Sequence, residues 1–241
     1  MITFMIALLT SEALPLPYSP RMDDGIAALL LGCFFLSAYV LSRSHKFLFQ
    51  LVKDFLLHRD RTSIFASSTA ADMRYLLLLI LQTCILGGVY LFSCFNEFQP
   101  TLVAHVSPVV LLSVYILLCM AVLFIKWVIY SLLGWIFFDE SRTSLWIESY
   151  STLLYYVGFA LFPFVLFIVY FNLNVKIAVV LGALLFIFMK LLVLYKWLKL
   201  FCDKMYGFLF LILYFCALEI VPYLVLYRGM EQLNDYLVIK I

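Results

Sequence analysis

The chain has 241 residues, of which 66% are hydrophobic and 12% charged, with a formal net charge of +2. A soluble domain is roughly half apolar and about a quarter charged, so a water-soluble globule of this size is excluded and the solvent must be lipid. The small net charge gives no support to a nucleic-acid partner. The composition predicts an all-α polytopic transmembrane bundle of about six spans, with one or two interfacial amphipathic helices.

Residues 1–24 are expected to form an extracytoplasmic N-terminal arm. The opening MITFMIALLTSEALPLP lacks a basic stretch, which favours a retained arm over a signal peptide. Six apolar runs of near membrane-spanning length follow, at about 25–41, 75–95, 106–125, 151–171, 175–194 and 207–227. Together they make residues 25–227 one transmembrane domain, followed by an extracytoplasmic tail, 228–241. Apolar character continues beyond the third run to Phe138. This predicts an interfacial or kinked extension, with Lys126 snorkelling to the headgroups and Trp127 and Trp135 at the interface.

Between the first two runs lies the most polar stretch, Ser42 to Arg74. Its RSHKFLFQLVKDFLL segment places Leu48, Leu51, Val52, Phe55 and Leu56 at helical spacing, away from Lys46 and Lys53. This reads as a helix in the headgroup plane, and Tyr195–Tyr206, with Lys196 and Lys199, as a second. Lys46, Lys53, Arg59, Arg61, Lys196 and Lys199 are therefore candidates for lipid-surface or partner contact.

Six spans alternate sides, which puts twelve of the sixteen basic residues on one side and four on the other. The positive-inside rule places the rich side, with both linkers, in the cytoplasm and both termini outside it.

Glu219, in FLILYFCALEIVPYLVLY, is the sharpest polar feature. A carboxylate at mid-membrane costs at least ~2.5–3.5 kcal/mol on insertion scales. Pro222, three residues on, removes an N–H and leaves the Leu218 carbonyl without its helical donor. Two readings stand side by side: a proton- or ion-coupling site, and an interhelical hydrogen bond that fixes packing. Pro163 interrupts the fourth span at similar depth, which raises the possibility of a shared cavity beside that of a simple kink. Lys190 belongs near the cytoplasmic end of the fifth span and reads as snorkelling.

Asp139, Glu140 and Glu148 form an acidic group that reads as a solvated loop and, alternatively, as acid/base or cation-binding carboxylates. His45, His58 and His105 carry no metal-ligand spacing, and the six cysteines form no CxxC pair. No cofactor or nucleotide fingerprint is present, which leans against an enzyme.

The closing LYFCALEIVPYLVLYRG resembles the C-terminal signature of a family of uncharacterised multi-span membrane proteins of the Bacteroidota, a domain of unknown function. Leu218, Glu219, Ile220 and Pro222 match its Leu-Glu-Ile-x-Pro core, and Arg228 takes the basic exit position. Gly158 and Pro163 match its Gly-then-Pro span. The resemblance covers about Asp23 to Gly229 and implies a bacterial inner membrane protein, without implying an activity. Three functions remain open: an accessory or scaffold subunit of an envelope or secretion assembly, a small proton- or ion-coupled transporter or channel, and a membrane-embedded lipid-modifying enzyme. The expected partners are the bilayer and other membrane proteins of an envelope complex.

Overall fold

The computed structural model describes residues 19–57, 70–98, 107–137, 140–171, 174–201 and most of 221–232. A 3-10 turn at Pro20–Met22 leads into five long helices: α1 (Asp24–Leu57), α2 (Ala70–Phe98), α3 (Pro108–Phe137), α4 (Glu140–Phe171) and α5 (Val175–Phe201). All five are long and apolar enough to cross a membrane, so the chain is an all-α polytopic helical bundle. In lipid a helix is the solution that satisfies every backbone group within its own segment. The described positions between 221 and 232 are also helical. The remainder of the sixth expected span, with Glu219, lies outside the described residues.

Local chemistry sets several helix starts. Asp23 caps α1, its Oδ1 accepting from the Gly25 N–H at 2.8 Å. Asn174 does the same for α5, accepting from the Lys176 N–H at 3.0 Å. Pro108 opens α3, where its missing N–H removes a donor that the first turn leaves unpaired anyway.

Three side-chain clusters show that successive helices run in opposite directions. At one end, Ile26, Leu30 and Cys33 from the start of α1 pack with Leu86, Val89 and Phe92 from the second half of α2. Leu111, Leu112 and Tyr115 from the start of α3 and Leu161, Val165 and Val169 from the end of α4 complete that cluster. At the other end, Tyr130 of α3 meets Trp146, Tyr150, Leu153 and Leu154 of α4 and Met189 and Val193 of α5. Beside them, Val40 and Leu48 of α1 pack on Leu76 and Leu79 of α2 and Tyr155 of α4. The first cluster marks what is called here the α1-start end, and the other two the α1-exit end.

The helices are not equivalent. In the apolar window of α2, 56% of the residues are buried, against 44% in α4 and only 17% in α3. α2 and α4 form the centre, and α1, α3 and α5 turn wide apolar faces outward. Lipid tails are as apolar as leucine, so helices associate through close packing and polar contacts rather than through the hydrophobic effect. Glycines supply the closest approaches. A Cβ on Gly88 of α2 would stand 2.5 Å from Ile116 Cγ1 and 3.0 Å from Ile116 Cα, so here two backbones touch. A Cβ on Gly158 of α4 would meet the Thr83 side chain of α2, and one on Gly182 of α5 would lie 2.6 Å from Tyr90 Cζ.

Two features differ from the sequence expectation. Of the interfacial or kinked extension expected for the third span, the kink is absent: α3 is one helix of 30 residues. The break lies in α1 instead, where Ser44 has φ −126° and ψ 18°. Residues 45–57 continue from that kink as a helical arm. Its Leu48 is buried against α2 and α4, so the arm is fastened to the bundle.

Candidate functional site

Polar side chains inside the bundle concentrate along α2 and α4. Gln82 of α2 is buried, and its amide meets the Ser37 hydroxyl of α1, 2.7 Å from Nε2 and 3.0 Å from Oε1. Thr83 donates to its own helix at Leu79 O, 2.9 Å, and stands 3.4 Å from Leu154 O of α4. That second contact is possible because Gly158 leaves room at the crossing. Tyr90 Oη lies 3.4 Å from Ala178 O of α5. Apart from the Thr83–Leu79 bond within α2, each of these contacts ties one helix to another. Gln82→Leu removes the α1–α2 bond, and by comparison with interhelical bonds in lipid it is expected to cost about 0.6–1.7 kcal/mol in a detergent unfolding titration.

The α1-exit end is the richer in chemistry. α4 presents two faces there. On one, Tyr130 stands edge-on to Trp146 and Tyr150, with ring centroids 5.5 and 5.3 Å apart. On the other, Tyr155 and Tyr156 lie side by side, with centroids 4.5 Å apart, facing α1 and α2. Tyr156 Oη donates to Leu48 O at 3.0 Å and so clasps the arm beyond the Ser44 kink. Tyr155 is 1% exposed, and its hydroxyl sits beside Tyr156 and Thr152 without a fully formed hydrogen bond to either. The two neighbours therefore predict different behaviour. Tyr156→Phe loses a bond worth about 0.5–1.5 kcal/mol and should raise protease cleavage between 45 and 57. Tyr155→Phe removes a hydroxyl that forms no full-geometry bond and should leave stability nearly unchanged, read in the same two assays.

Two lysines depart from expectation. Lys126 does not reach for the headgroups: it is 1% exposed. The reason is register. Tyr115, Cys119, Val122, Lys126 and Tyr130 recur every three or four residues, so Lys126 belongs to the stripe that α3 turns inward. Lys196, a candidate for lipid-surface or partner contact, is 6% exposed and continues the buried stripe of Met189 and Val193. Neither lysine lacks an interaction partner. That stripe of tyrosine, cysteine and lysine at helical spacing was the available signal for Lys126. Lys190 is half-buried, its Nζ 5.1 Å from the centroid of the Phe186 ring one turn away.

The other candidates are dispersed. Lys46 is exposed on the arm. Lys53 and Lys199 lie on α1 and α5 with their side chains outside the described ones, and Arg59, Arg61 and Glu219 lie outside the described residues. Pro163 sits at an exposed position with α4 running through it, and Pro222 is half-buried in the last helical stretch. Glu140 and Glu148 are two turns apart on α4, about 12 Å of rise along its axis, and the Glu140 side chain lies outside the described ones. Asp139 is outside the described residues. Among the described residues no three His, Cys, Asp or Glu side chains gather as a metal site. What the geometry provides is interhelical anchoring, with two buried cations and an aromatic cluster at one end.

No curated protein and no solved structure matches the chain. The family model "Domain of unknown function (DUF4271)" matches residues 26–230. That range takes in all five described helices except the first two residues of α1, and the chain belongs to this family.

Proposed function

We propose that the chain is a non-enzymatic accessory or scaffold subunit of an envelope assembly in a bacterial inner membrane. In this reading the α1-exit end lies in the cytoplasm, because the basic residues gather there. The observation that carries it is how the interior polarity is used. Ser37, Gln82, Thr83, Tyr90 and Tyr156 hold one helix to the next instead of lining a path. Meanwhile α1, α3 and α5 leave most of their apolar windows uncovered, which suits a subunit embedded among lipids and other helices.

The test is purification from the native membrane in several mild detergents after brief cross-linking, with mass spectrometry of the product. The expected result is a complex holding a second membrane protein at fixed stoichiometry. A lone monomer in every detergent would contradict it.

A second reading, a proton- or ion-coupled transporter acting through Glu219, draws support from Lys126 and Lys196, which put charge inside the bundle. It predicts that Glu219→Gln abolishes flux in proteoliposomes; unchanged flux excludes it.

A further inference from the structure

The kink at Ser44 has a consequence at the membrane boundary. The apolar part of α1 runs to Lys46, and that of α2 begins at Arg74, so both change from apolar to polar at this end of the bundle. Tyr39 and Tyr75 join the two helices there, with ring centroids 6.1 Å apart. Aromatic rings of this kind favour the headgroup level. Arg43 follows Tyr39 by one helical turn and Arg74 precedes Tyr75 by one residue. Because α1 and α2 run in opposite directions, both arginines lie just beyond the tyrosine pair, on the water side of one helix–helix seam. Arg43, Lys46 and Arg74 are all exposed. Around them the surface is apolar: Leu41 and Phe49 are exposed, Phe49 to 74%. Ser44 itself is buried, which turns its neighbours Arg43 and His45 outward.

We infer that Arg43 and Arg74, with Lys46, form a clamp for the headgroup of an anionic phospholipid at the α1–α2 seam. The guanidinium fork matches phosphate oxygens two at a time and keeps its charge at every accessible pH. Tyr39 and Tyr75 stand at glycerol level, and Leu41 and Phe49 offer acyl chains an apolar border. A soluble phosphate would use the arginines alone and gain nothing from that border. A lipid uses both, and the surrounding bilayer supplies it at high local concentration. The assignment is independent of which side of the membrane this end faces.

The test uses the full chain in nanodiscs of phosphatidylcholine doped with phosphatidylglycerol, followed by native mass spectrometry of the lipids that stay bound. The wild type should retain phosphatidylglycerol above its share of the disc. The double variant Arg43→Gln/Arg74→Gln should lose that enrichment by about fivefold or more, while Arg43→Lys/Arg74→Lys keeps part of it. The single variants give the same reading if the double variant does not fold. Arg21→Gln/Lys176→Gln, exposed at the opposite end, should match the wild type. Absence of enrichment in the wild type, or equal enrichment in Arg43→Gln/Arg74→Gln, overturns the proposal. Displacement of the lipid by millimolar inorganic phosphate also overturns it, since the site would then take the phosphate group alone. So does a bound protein that is lost from the double variant while its lipids remain.

Discussion

Gly88→Ala is expected to destabilise the bundle by about 1–3 kcal/mol, the usual cost of forcing a methyl group into a packed interior. The reason is the identity of the obstacle. The new Cβ would lie 3.0 Å from both Ile116 Cα and Ile116 N, so no rotamer change relieves the contact and α3 has to move away from α2. Moving α3 also loosens the ring packing of Tyr115, one residue earlier, against Phe92 and Phe95. Gly88→Val should cost more, because a branched side chain widens the gap further. Gly32→Ala is the control: nothing lies within 4 Å of its Cβ position, and alanine is the better helix former. Unfolding titrations in mixed micelles should order the proteins Gly32→Ala at or above wild type, then Gly88→Ala, then Gly88→Val. Equal stability of Gly88→Ala and Gly32→Ala would remove the close α2–α3 approach from the account.

Tyr115→Ala should produce a loss of similar or larger size. Tyr115 is fully buried, stacked on Phe95 at 5.7 Å and tilted against Phe92 at 6.5 Å. In water-soluble proteins the cost of such a truncation combines a transfer term and a cavity term. Here the transfer term shrinks, because the unfolded reference in lipid is also apolar. The cavity term survives. At ~24 cal/mol per Å³, roughly 100 Å³ of lost side chain costs about 2.4 kcal/mol. Tyr115→Phe keeps the rings in contact and should lose far less. A large loss in both variants would mean that the hydroxyl, rather than the ring packing, supplies the stability.

How much of this was readable beforehand depends on the physics involved. The polytopic helical class was legible, because length and apolarity are set by the bilayer and not by the partners of a helix. The packed faces were not. A helix surrounded by lipid and protein is apolar all round, so its sequence carries little periodic contrast from which to read the buried side. That is why Gly88, Gly158 and Gly182 passed unnoticed as crossing points: each matters only because of what lies on the opposite helix. The burial of Lys126 and Lys196 was hidden for the same reason. A lysine near the end of a span snorkels by default, and only its register relative to Tyr130 or Val193 shows that it points inward. The Ser44 kink had no proline or glycine to announce it. Of the predicted site residues, Lys46, Pro163, Lys190, Lys196 and Pro222 are placed by the structure, and they do not converge on one spot. The carboxylate that drew most attention, Glu219, lies outside the described residues, so its two readings rest on its position in an apolar run.

The central claim is that the five helices alternate in direction around α2 and α4. It is tested most directly by cysteine labelling in a background without native cysteines. Arg21→Cys, Lys46→Cys, Arg74→Cys and Lys176→Cys each place a thiol at an exposed position near the end of an apolar span. A membrane-impermeant maleimide is applied to intact vesicles of one orientation, then to permeabilised ones. The account predicts that positions 46 and 74 label on one side and positions 21 and 176 on the other. Labelling of positions 46 and 176 from the same side would contradict it.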